Sequence, residues 1–130
     1  MNISVEIERD SGVAVVSCSG ELRLDDARRA AEALWSTPGW RGESGVWDLR
    51  AAQFDLSSSD VREMASFVLA NQREEPPAKM TFVVARDVDF GMSRMFQAFR
   101  DDPPTAFRVF RDYEEAIRWA RSPAQTDKPE

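Results

Sequence analysis

The chain has 130 residues, 42% hydrophobic and 31% charged, with 23 acidic against 17 basic side chains and a formal net charge of −6. That is one domain's length, enough to bury a core without disulfide or metal staples. It contains no histidine and a single cysteine, Cys18, which excludes Ser-His-Asp and Cys-His machinery, imidazole metal ligands, an internal disulfide and a cysteine zinc site.

Ile3, Val5 and Ile7 alternate with Ser4, Glu6 and Glu8, the period-two pattern of a half-exposed strand. Asp10-Ser11-Gly12 reads as a turn into a second, more buried strand over residues 13–19, giving an N-terminal β-hairpin that Gly20 closes. Asp25 suits the N-cap of a helix running to about Ser36, with Ala27, Ala30, Ala31, Leu34 and Trp35 on its inner face. The Gly-rich loop around Trp40 follows, then a short third strand, Val46-Trp47-Asp48-Leu49. Ser57 and Asp60 have capping-box spacing ahead of a helix with a Val61, Met64, Ala65, Val68, Leu69 stripe, ended by Glu75-Pro76-Pro77. Residues 80–85 are continuous and β-branched, as expected of a strand covered on both faces. Asp87 and Asp89 start a further helix whose apolar set is Phe90, Met92, Met95, Phe96 and Phe99, stopped by Asp101-Asp102-Pro103-Pro104. A fifth strand spans residues 107–110, and Asp112 with Glu115 has the spacing of a second capping box before the last helix. Residues 122–130 are polar and read as a frayed tail.

The order β-β-α-β-α-β-α-β-α predicts a single α/β domain over residues 1–121, with a mixed, mostly parallel five-stranded sheet and four helices. Three stretches carry a family likeness. Val46-Trp47-Asp48-Leu49-Arg50 with Phe54 and then Ser57-Ser58 resembles the strand-loop-helix of the STAS domain, the family of anti-sigma-factor antagonists that includes the stage II sporulation protein AA-like group. Residues 85–96 and 108–119 resemble a small bacterial branch related to both that family and the CRAL-TRIO lipid-binding fold. The resemblance implies a STAS-like fold over roughly residues 3–121 and, at the start of the second helix, a serine phosphorylated by a kinase. By position that residue is Ser58. Leu56 and Ser59 stand where the family's motif has Asp and Gly.

Candidate sites follow, each beside a plainer role. A phosphate on Ser58 would sit at a helix N-terminus, where backbone N–H groups favour anions; alternatively Ser57 is a cap and its neighbours are solvated loop. The Phe and Met residues of the third helix, Phe90, Met92, Met95 and Phe96, can line an apolar pocket or a self-association face, or fill core. Arg86 and Asp87 follow a parallel strand's C-terminal end, where ligands usually bind; there Arg86 can pair with an anion and Asp87 with Asp89 can hold a cation, or an Asp can cap the helix. Trp40 is the tryptophan expected to be exposed as a contact anchor. Cys18 is expected to be buried and inert. Lys79 and Tyr113 have no activating partner in sequence, and no Gly-rich phosphate loop is present.

The expectation is a non-catalytic, cytoplasmic regulatory domain that binds a protein partner and needs no metal or cofactor, with homodimer formation open. The alternative is a carrier or sensor of an apolar small molecule or lipid, with its pocket beside residues 90–99. Scattered basic residues argue against a nucleic-acid partner, and apolar runs of six residues or fewer argue against membrane insertion.

Overall fold

In the computed structural model, which describes residues 1–40, 42–71, 77–100 and 105–122, the N-terminal alternation forms β1 (Asn2–Ile7). It pairs antiparallel with β2 (Ala14–Leu22), in register from Asn2 opposite Ser19 to Ile7 opposite Ala14. Gly12 turns the hairpin at φ 76°, in the left-handed region that glycine tolerates best, and a Cβ there would meet the Glu43 side chain at 2.9 Å.

The remaining strands, β3 (Gly45–Phe54), β4 (Lys79–Val83) and β5 (Ala106–Phe110), add in parallel, so the sheet order is β1-β2-β3-β4-β5. The helices are α1 (Leu24–Trp35), α2 (Ser58–Ala70), α3 (Asp87–Arg100) and α4 (Tyr113–Arg121). Period-two alternation splits the apolar side chains between two layers. Val16, Cys18, Trp47, Leu49 and Val84 join the buried faces of α1, α2 and α3. Val13, Val46, Val83 and Phe110 join Ala116, Ile117 and Ala120 of α4 on the opposite face. Among the described residues α4 is the helix that covers that second face, over β3, β4 and β5.

Several expected boundaries move. The β2 strand does not close at Gly20. A register shift between Ser17 and Ser19 and a φ of 103° at Gly20 let it continue to Leu22. That extension gives residues 51–54 a partner, so β3 is longer than its apolar run. Helix α1 starts one residue before Asp25. Its N-cap is Arg23, whose backbone N–H donates to Asp26 Oδ2 at 3.0 Å. Asp112 caps α4 by accepting from Glu114 N at 2.9 Å, in place of the expected box with Glu115. Leu69, placed on the α2 stripe by spacing, is exposed. The expected stop at Glu75-Pro76, residues 101–104 and the tail after Ser122 lie outside the described residues.

Two buried polar groups stand out, Lys79 and Cys18. Lys79 is fully buried at the start of β4, with Nζ donating to the carbonyl oxygens of Trp119 and Ser122 at 2.9 Å each. It thereby closes the C-terminus of α4, where a cation is favoured by the helix dipole. Burial, with smaller contributions from Asp26 and Asp48, pushes the Cys18 thiol up to about 11, so it stays protonated at neutral pH.

Candidate functional site

The parallel sheet has two unlike ends. At the strand C-termini lie the starts of α2, α3 and α4. Ser57 forms the expected capping box: its Oγ accepts from Asp60 N at 3.1 Å, and its own N–H donates to Asp60 Oδ2 at 3.0 Å. Ser58, the first helical residue, is exposed and stands outside that box. The sequence therefore assigns both serines correctly to a helix start, and the structure divides them between a structural hydroxyl and an accessible one.

The neighbouring α3 start is tied down by ion pairs. Arg86 grips Asp89 with two bonds, Nε to Oδ2 and Nη2 to Oδ1, each 2.9 Å. Asp89 is fully buried while the Arg86 side chain is 47% exposed. This bidentate grip raises the Arg86 pKa above its ordinary value, so the guanidinium is a permanent charge. Asp87 pairs with Arg111 at 2.7 Å, and the Arg111 guanidinium lies 4.8 Å from the Phe90 ring centre. Arg86 is thus paired internally with Asp89, and each of the two aspartates holds an arginine. Neither caps the helix, since both fall inside its first turn. Between these pairs Val88 is 61% exposed, a large apolar side chain that spacing arguments missed because it lies off the core-facing set. No group of three or more metal-ligating side chains occurs among the described residues.

At the opposite end, where strands begin and α1, α2 and α3 finish, a cavity of about 70 Å³ opens between sheet and helices. Its wall includes Trp35, Trp40, Trp47, Phe82, Phe96 and Phe107. Phe82, Phe96 and Phe107 form a ring cluster with centres 4.9–5.7 Å apart. Of the α3 apolar set, Phe96 alone lines the cavity; Phe90, Met92, Met95 and Phe99 pack, partly buried, against the core. Trp40 is the clearest correction. It is 6% exposed, because its loop folds back and its indole Nε1–H donates to Glu43 O at 3.0 Å. A glycine-rich neighbourhood marked the loop but not the direction in which its one large ring would turn.

The solved structures give this geometry a context. Over 92% of both chains it is similar to an uncharacterized protein of the DUF3478 family from Shewanella loihica with a SpoIIAA-like fold, at 17% identity and a TM-score of 0.60. It is also similar to an anti-sigma factor antagonist from Mycobacterium paratuberculosis, at 21% identity and a TM-score of 0.57, over 93% of this chain and 96% of that one. No protein-family model matches the chain, and no curated protein does. The chain therefore has the SpoIIAA-like α/β fold, the architecture expected from its order of elements. No helix among the described residues is long and apolar enough to cross a membrane.

Proposed function

We propose that the chain is a cytoplasmic, non-catalytic interaction module that binds a protein partner through the rim made by the start of α2 and the start of α3, and that a charge placed on Ser58 releases that partner. The carrying observation is the composition of this rim. Exposed Val88 sits between the Arg86–Asp89 and Asp87–Arg111 ion pairs at the start of α3, and an accessible Ser58, whose neighbour Ser57 already serves the cap, opens α2, which packs on α3. An apolar contact framed by fixed charges suits a docking surface, and pre-ordered side chains lower the entropic cost of binding. A phosphate at Ser58 would be accommodated by the helix N-terminus while adding about two negative charges beside Asp60. The likeness to an anti-sigma factor antagonist supports a regulatory partner of this kind.

The test is affinity capture and binding measurement with the full chain from its native lysate, in wild type, Ser58→Ala, Ser58→Asp and Val88→Asp forms. A stoichiometric protein held by wild type and Ser58→Ala, and lost by both aspartate variants, supports the reading. A partner held equally by all four, or none at all, removes it.

A further inference from the structure

We infer that the cavity at the strand N-termini is a binding site for a small monocarboxylic acid with a short branched or cyclic apolar body. Protein interiors pack at crystal-like density and leave few voids. This one is bounded by rings from separate elements, Trp35 from α1, Trp40 from the loop after it, Trp47 from β3 and Phe96 from α3. Its volume, about 70 Å³, is well above the roughly 10–15 Å³ that a single water needs. A propyl or isopropyl group is on the scale of the cavity, and an apolar wall takes a hydrocarbon in preference to water.

The polar character of the wall selects the other end of the ligand. Thr105 Oγ1 donates to Pro77 O at 2.7 Å, and Asn71 Nδ2 donates to Phe67 O at 2.8 Å, so both side chains serve the fold. Arg100, the last residue of α3, is the charged lining residue among the described residues. It is 5% exposed, and its guanidinium lies 5.8 Å from the Phe96 ring centre and 5.2 Å from that of Phe107, both cavity rings. Arg100 is also engaged within the chain. A guanidinium carries five N–H donors in a fork that fits a carboxylate, so it can serve the fold and a ligand together. A cation in a dry aromatic wall favours an anion over a neutral group more strongly than it would in water. The site lies at the end of the sheet away from Ser58 and is independent of the partner-binding rim.

The experiment follows the four indole N–H signals of the 15N-labelled full chain during titration with isovalerate and with its neutral isostere isovaleramide. Trp35, Trp40 and Trp47 line the cavity, whereas Trp119 packs on Phe110 on the other face of the sheet and serves as the internal reference. We expect the first three signals to shift together with a Kd on the order of 1 mM or below, and Trp119 to stay in place. Isovaleramide should bind roughly five-fold more weakly. Ala31→Leu, which fills the cavity from the α1 side, should abolish both titrations while the circular dichroism stays native. Arg100→Gln should erase the acid's advantage and keep amide binding. Absence of shifts at 20-fold the expected Kd, equal shifts at all four tryptophans, or equal binding of acid and amide to wild type would each overturn the proposal. The last comparison needs no variant to fold.

Discussion

At the strand C-termini polar groups are held in pairs around an exposed Val88: Ser57 with Asp60, Arg86 with Asp89, Asp87 with Arg111. At the strand N-termini the groups are aromatic or buried; Lys79 and Thr105 there are spent on backbone carbonyls of neighbouring segments, while Arg100 lines the cavity. The first end presents chemistry to the outside; the second uses chemistry to close the fold around a void. Substitutions of Lys79 and Thr105 at the second end should therefore act on stability, and those at the exposed rim of the first mainly on recognition.

The largest effect should come from Lys79→Met. The methionine keeps the apolar stem but removes the charged donor to Ser122 O, Ser122 Oγ and Trp119 O, of which Trp119 O keeps the Ser122 hydroxyl and N–H as donors. Losing these hydrogen bonds from a charged, buried donor should cost about 2 kcal/mol, read as a lower urea midpoint at unchanged slope. A loss below about 0.5 kcal/mol would show that this end does not depend on the lysine and would blunt the contrast.

Ser57→Ala and Ser58→Ala divide the first end more finely. Ser57 supplies the cap, so its loss should cost about 1 kcal/mol. Ser58 is exposed and outside the cap, so its removal should stay within about 0.5 kcal/mol. Thermal unfolding of the two variants side by side decides the assignment; equal losses would mean that Ser58 also holds the loop and is not free for modification.

The sequence carried much of this contrast, and the reasons are physical. Local signals are the legible ones: alternation at Ile3, Val5 and Ile7, the α2 stripe from Val61 to Ala65, and the Ser57–Asp60 spacing, each encoded within a few residues. The misses involve partners far apart in the chain or orientations that spacing does not encode. Residues 51–54 became strand because β2 extends past a bulge, and Lys79 is satisfied by carbonyls 40 and 43 residues away. A signal for the lysine was present. It shares the period-two face of Thr81 and Val83, both fully buried, so alternation alone places its stem inside. Nothing comparable pointed to Trp40 turning inward or to Arg86 reaching Asp89 one turn on. Of the candidate site, the position of the rim was legible, while its internal pairing and the cavity at the other end required the packed structure.

The smallest effect separates stability from recognition most cleanly. Gly91 lies inside α3 with ordinary helical backbone, is exposed, and a Cβ added there meets nothing within 4 Å. Glycine in a helix interior is costly because the unfolded chain gains more freedom from it than from alanine. Gly91→Ala should therefore stabilise the protein by about 0.5–1 kcal/mol, measured by chemical denaturation. Gly91 lies one turn into the helix that presents Val88 and carries no Cβ, so the proposed partner's backbone would have room to approach there. In the capture experiment with the partner, the alanine variant should then be more stable and yet bind more weakly. Higher stability with unchanged partner affinity would separate Gly91 from the docking surface and confine that surface to the Ser58 and Val88 side of the rim.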